Sequence, residues 1–285
     1  GWNPGEPNQY FGDDPIMQED YVEVYGSGYW NDIPSEPGRN NFYVVEWGGM
    51  PGDNFSTAVE ITDTASQAGQ VPFTGDGTQA SPYLVNNATD LSKVESCAST
   101  GIYFKQTADV DLTGVNYAPI GTGSKPFNAN YLGDNHSITG LLLNNSMSGV
   151  FGYVQSATID SLNITATLDA NSDAFVGGLA GQMYSSTVTN VDVTIEGNVS
   201  GGSAYVGGVV GYSIANTISD VSATGSVTVT GWASRFGGIA GFVDNGSLTN
   251  ATSTVDLVSD ATEYLGGLVG MAYNFNLSHS SYAGT

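Results

Sequence analysis

Basic residues are scarce in this chain: five Lys and Arg stand against 28 Asp and Glu in 285 residues, a formal net charge of −23. Nucleic acid and anionic membrane surfaces are both held by neutralising phosphates with Lys and Arg, so neither is expected as a partner. Cysteine is scarcer still. The single Cys97 rules out an intrachain disulfide framework and a cysteine-built zinc site, leaving packing to hold the fold. His136 and His279 are the only histidines, and neither sits in a His-Glu-x-x-His metal motif. No apolar run reaches 18 residues, so no helix inserts into a membrane. Strong helix formers such as Lys, Glu and Arg are few, while Val, Ile, Thr, Tyr and Phe fill the apolar positions, which points to strands and turns. An apolar fraction of 40% argues against disorder.

What is abundant is Gly, with 39 residues, together with Asn, Ser and Thr. An acidic, lysine-poor and cysteine-poor chain of this kind suits an extracellular or cell-surface location. Nine Asn-x-Ser/Thr sequons, Asn163, Asn198 and Asn250 among them, are what chance supplies in such a composition.

The most specific signal is internal repetition. Phe175-Val-Gly-Gly-Leu-Ala-Gly181, Tyr205-Val-Gly-Gly-Val-Val-Gly211, Arg235-Phe-Gly-Gly-Ile-Ala-Gly241 and Tyr264-Leu-Gly-Gly-Leu-Val-Gly270 nearly superimpose, with a degenerate copy at Ser148-Gly-Val-Phe-Gly152. Their last glycines are spaced by 29, 30, 30 and 29 residues, and seven positions beyond each stands Ile159, Val188, Ile218, Leu248 or Leu277. A helix–loop array would let loop lengths drift. A period this tight means that each unit stacks on the next. Short alternating runs such as Val191-Asp-Val-Thr-Ile195, broken by Gly, Asn and Asp, give two or three short strands per unit. This predicts an all-β, right-handed parallel β-helix whose rungs advance about 4.8 Å each, roughly 24 Å for five. Val176, Val206, Phe236 and Leu265 form an inward ladder, and the Gly-Gly pair after each turns a corner that a Cβ would obstruct.

These units resemble the GLUG motif of large bacterial surface and secreted proteins, over residues 148–285. The lead-in at 71–147 looks like what precedes such arrays and is expected to supply irregular first rungs and a cap, with one short helix over 89–97 capped by Thr89. A cap is needed because an open β-helix end is an aggregation edge. Residues 50–70 read as a polar linker, with one strand at 58–62.

Residues 1–49 lack the period and hold three of the four Trp. Trp2-Asn-Pro-Gly-Glu-Pro-Asn8, Glu19-Asp20-Tyr-Val-Glu-Val24, Trp30-Asn-Asp32 and Phe42-Tyr-Val-Val-Glu46 follow one another in an order that resembles the second half of a C-type lectin-like domain. The resemblance implies Glu6, Asn8, Glu19, Asn31 and Asp32 as ligands of Ca²⁺ and, through it, of vicinal sugar hydroxyls. Three carboxylates and two amide carbonyls are the hard oxygens Ca²⁺ prefers. The family's usual cysteines are replaced, with Tyr21, Ser35 and Val45 at their places, and its first half is missing. The chain opens at Gly1 and stops at Thr285 in mid-repeat, so a fragment of a longer polypeptide is expected.

The tools of an enzyme are few. A polysaccharide lyase needs a basic residue, and Arg235 is the only one in the repeats, at a rung position shared with Ala174, Ala204 and Glu263. Asp160, Asp192, Asp220 and Asp256 fall at turns and rung edges. His136 reads as a turn or stacking residue and Cys97 as a small buried apolar one. The expectation is a non-enzymatic adhesin, with extracellular glycans or further copies of itself as partners. A filament subunit with no sugar site is the alternative, and a carbohydrate-active enzyme is the third reading.

Overall fold

The computed structural model describes residues 72–170, 174–200, 202–230, 235–259 and 264–285, and the backbone of two strands further upstream. The chain divides into two compact units, Gly1–Ala65 and Ser66–Thr285. In the first, β1 (Glu19–Val24) pairs antiparallel with β2 (Trp30–Pro34), Glu23 lying opposite Asn31 and Val22 opposite Asp32. The linker at 50–70 lies outside the described residues.

The second unit is an all-β parallel solenoid of about six turns. It opens with β3 (Tyr83–Val85), α1 (Ala88–Cys97), β4 (Tyr103–Gln106), β5 (Val110–Asp111), β6 (Asn130–Leu132) and β7 (Ser137–Leu143). The helix expected over 89–97 is present, but its cap is Asn87 rather than Thr89. Asn87 is extended (φ −162°), and its side chain accepts the Asp90 N–H at 3.0 Å while Asp90 accepts the Asn86 N–H at 3.0 Å. The first bond satisfies one of the N–H groups that a helix start leaves without partners, and the second ties the residue before the cap to the first turn. Thr89 already lies inside the first turn. Leu91 and Val94 are fully buried, so α1 lays one side on the core beside the terminal strand of the sheet.

Each later rung repeats three strands. Corner strands β8 (Met147–Ser148), β11 (Phe175–Gly177), β14 (Tyr205–Gly207), β17 (Arg235–Gly237) and β20 (Tyr264–Gly266) form one parallel sheet. A second is built from β9 (Phe151–Gln155), β12 (Ala180–Tyr184), β15 (Val210–Ile214), β18 (Ala240–Asp244) and β21 (Val269–Tyr273). The third and largest holds β10 (Thr158–Ala170), β13 (Thr187–Ser200), β16 (Thr217–Thr230) and β19 (Ser247–Ser259). It runs on to β22 (Asn276–Ser278) and β23 (Ser281–Tyr282) at one end and to the opening strands at the other.

Both apolar ladders are in register. Val176 pairs with Val206, Val206 with Phe236 and Phe236 with Leu265; Ile159, Val188, Ile218, Leu248 and Leu277 pair in the same succession. All are buried except the last of each, Leu265 and Leu277, which are 51% and 52% exposed because no described strand stacks beyond β20 and β22. The corner between β14 and β15 shows what the paired glycines do. A Cβ on Gly207 would sit 2.2 Å from the Val210 carbonyl oxygen and 2.6 Å from that of Ile239 in the next rung. Backbone fills the space on both sides.

The long side of each rung differs from the short strands expected. β13 and β16 each run for 14 residues. The alternation breaks because Ser161, Asn190, Asp220 and Asn250, stacked in one column, take positive φ values of 57°, 53°, 55° and 52° within the strands. This left-handed conformation is tolerated best by Asn and Asp among residues with a Cβ, and it bends the strand without ending it. Asp160, Asp192 and Asp256 consequently lie within long strands rather than at turns, and Asp220 alone occupies the bend. Register also corrects Arg235, which stacks in the column of Phe175, Tyr205 and Tyr264 and not in that of Ala174 and Ala204. Cys97, the last residue of α1, is half-buried rather than buried, since it ends the helix beside exposed Ser96.

Candidate functional site

Of the five residues assigned to calcium by resemblance, Glu6 and Asn8 lie outside the described residues. Glu19 opens β1, opposite Pro34, and Asn31 and Asp32 occupy consecutive positions of β2. One hairpin therefore carries three of the five in its backbone. Among the described residues no group of three or more His, Cys, Asp and Glu side chains converges as a metal site.

On the solenoid, outward carboxylates are tied from rung to rung. Asp160 accepts from the Thr189 hydroxyl at 2.7 Å and the Asn190 amide at 2.9 Å, both one rung on. Asp220 accepts from the Asn250 amide at 3.0 Å, Asp192 from the Ser222 hydroxyl, and Asp256 from the Thr285 N–H at 2.9 Å. Burial pushes the Asp160 pKa up, yet the hydrogen bonds from Thr189, Asn190 and Ser161 outweigh it and leave the carboxyl below its ordinary value. His136 closes a turn through its N–H to the Gly133 carbonyl at 2.9 Å, and its ring lies 3.4 Å from Asp109.

A hollow of about 240 Å³ opens on the outer face of the large sheet near its first rungs. Two adjacent columns make its floor, Tyr103–Asn130–Thr158 and Lys105–Leu132–Asp160, each crossing β4, β6 and β10 in register. Gln79 and Pro82 form a wall. That wall is prefixed: Asp76 accepts both the Thr78 N–H at 3.0 Å and the Thr78 hydroxyl at 2.7 Å, and the Asp76 and Gly77 N–H groups both close on the Ser81 carbonyl at 3.0 Å. Lys105 pairs with Asp134 at 2.9 Å, and the Asn130 amide donates to the Ile102 carbonyl at 3.1 Å. Below the floor, Tyr131 donates to Gln106 at 3.0 Å, and Gln106 donates to the Ala108 and Ser137 carbonyls at 2.9 Å each. This buried network fixes the sheet under the hollow. The sequence reading missed the site because the lead-in repeats at 27 and 28 residues, the steps from Tyr103 to Asn130 to Thr158, rather than at 30.

A second feature, also unforeseen, is an aromatic ladder over the corner. Phe175 stacks on Tyr205 with centroids 5.0 Å apart, and Tyr212 stacks on Phe242 at 4.8 Å. Tyr212 meets Tyr205 edge-on at 5.3 Å, joining the two columns. The Arg235 guanidinium lies 4.7 Å from the Tyr205 ring centre and 5.4 Å from that of Tyr264. The rings cover one another's faces, and burial with neighbouring Tyr153 and Tyr212 pushes the Tyr184 pKa up to about 12. The ladder is a stacking device for the rungs, worth about 0.5–1.5 kcal/mol per ring pair. Its signal in the sequence was the recurrence of aromatics at one repeat position, Phe175, Tyr205 and Tyr264, with Arg235 between the last two.

Residues 202–230 match the model of the GLUG motif. A "Putative Gly-rich membrane protein" of Evansella cellulosilytica is 32% identical over 149 residues, a stretch covering 47% of this chain and 17% of the relative's length. This chain thus corresponds to a small part of that relative. Among solved structures, a "putative immunoglobulin A1 protease" from Bacteroides ovatus superimposes with a TM-score of 0.48 at 19% identity, covering 72% of this chain and 76% of the other. Among the described residues no helix is long and apolar enough to cross a membrane. The matched stretch runs from just before β14 to the end of β16, and the rungs paired with it in register carry the same glycine-marked pattern as parts of one β-solenoid.

Proposed function

We propose that this chain is a non-enzymatic segment of an extracellular, surface-displayed adhesin. The solenoid serves as a stiff spacer, and residues 1–49 act as a calcium-dependent glycan-binding module built on Glu6, Asn8, Glu19, Asn31 and Asp32. The spacer reading is carried by the unbroken register of four long strands, whose outward carboxylates are spent on bonds to the adjacent rung instead of converging in a pair. The module reading is supported by the placement of Glu19, Asn31 and Asp32 on one hairpin. Monovalent affinity between millimolar and micromolar would gain strength by display of many copies.

The test is a glycan array with calcium and with chelator. Signal that requires calcium and disappears in Glu6→Ala and Asp32→Ala supports the module; signal indifferent to both, or none, rejects it. A reducing-sugar assay on polysaccharides examines the non-enzymatic reading, and product release would overturn it.

A further inference from the structure

The hollow on the flank combines features that the adhesin reading leaves unused. Its volume, about 240 Å³, is below the roughly 300–1,000 Å³ of sites for drug-sized ligands, so its occupant is small. Its charged groups already have partners: Lys105 is paired with Asp134, and Asp160 accepts from Thr189 and Asn190. A free anion would meet a chain of net charge −23, and a free cation would meet an ammonium already in place. What remains is a mixed set of neutral groups. The hydroxyls of Tyr103 and Thr158 make no hydrogen bond to other described residues, and the Asn130 amide uses its N–H on Ile102 and keeps its carbonyl oxygen as acceptor. Pro82, Leu132 and the Tyr103 ring add apolar surface among them. A ligand that donates and accepts at several points while showing a C–H face matches this set, and a sugar ring is such a ligand.

We infer that this hollow is a calcium-independent subsite for a neutral mono- or disaccharide, with Tyr103, Asn130 and Thr158 as its hydrogen-bonding floor. The inference goes beyond the calcium module and does not depend on it. Two features make the subsite rigid before any ligand arrives. The floor columns are locked by parallel pairing across three strands, spaced by about 4.8 Å per step, and the wall is closed by the Asp76 turn.

Saturation-transfer NMR on the full chain in chelator, with glucose, galactose, mannose, N-acetylglucosamine, maltose, cellobiose, lactose, mannobiose and diacetylchitobiose as probes, tests it. The expected result is transfer to at least one probe, weakened about tenfold in Tyr103→Phe by loss of a hydrogen bond. Thr158→Tyr, which fills the hollow from an exposed strand position that accepts aromatics, abolishes transfer. Thr194→Ala, farther along the same sheet, leaves it intact, and so do Glu6→Ala and Asp32→Ala, which separates this site from the calcium module. No transfer to any probe overturns the inference. So does transfer undiminished in Thr158→Tyr, provided that variant melts like the parent.

Discussion

Asn216 is a buried polar side chain that ties neighbouring rungs together. It is 2% exposed and uses its side chain three ways: its carbonyl accepts the Ser186 N–H at 2.7 Å, and its amide donates to the Met183 carbonyl and the Ser213 hydroxyl at 2.8 Å each. Ser186 then passes the bond to the preceding rung by accepting the Ala157 N–H at 3.1 Å. Asn216→Ala would leave a buried N–H and a buried carbonyl without partners, at about 1–3 kcal/mol each. A urea melt should show a lower midpoint with an unchanged slope. Asp160 gives a prediction with a sign. Its pKa is depressed in the folded chain, so its bonds stabilise above the unfolded value of about 3.9, and that contribution is lost as pH falls through the lower folded value. Asp160→Asn is therefore expected to melt below the parent at neutral pH, with the gap closing in scans below about pH 4. A gap that persists in acid would assign the effect to shape rather than to charge.

Elements show which rules the sequence states openly and which it hides. The ladder and the corner were legible because both rest on a side chain being large and apolar, or absent, at a fixed phase. Val206 and Gly207 announce themselves in that way. The long strands were not legible as single elements, because a left-handed residue such as Asn190 or Asp220 looks in sequence like a turn, whereas lateral pairing on both sides holds the strand together through the bend. The flank hollow was hidden for a related reason: its residues follow the lead-in period of 27 and 28, and parallel pairing, not sequence proximity, brings them together. The same logic makes the corner the intolerant element. In Gly207→Ala the new Cβ meets the Val210 and Ile239 carbonyl oxygens at 2.2 and 2.6 Å, and neither can yield without breaking a strand pair. A loss of about 3 kcal/mol or more is expected from such overpacking, read as a fall in melting temperature with the circular dichroism still that of β-structure.

At the scale of the whole solenoid, stability is the sum of what each rung holds within itself and what it shares with its two neighbours. That additivity predicts that a complete rung can be removed. Deleting 205–234 brings Arg235 to the place of Tyr205, a step of 235 − 205 = 30 residues, so that Val176 meets Phe236, Gly177 meets Gly237 and Val188 meets Leu248. Every ladder position is refilled with an apolar residue and every corner with glycine. The cost is specific: Asn216 is lost, and the Ser186 N–H then faces Gly246, which has no side chain to accept it. The shortened chain should still unfold cooperatively, at a lower temperature, with a β-type spectrum. Deleting about half a rung instead places turn residues over strand residues and sends polar side chains into the core, so it should yield aggregate rather than a shorter rod. If both deletions unfold alike, the rungs are not interchangeable layers, and the stiff-spacer reading loses its physical basis.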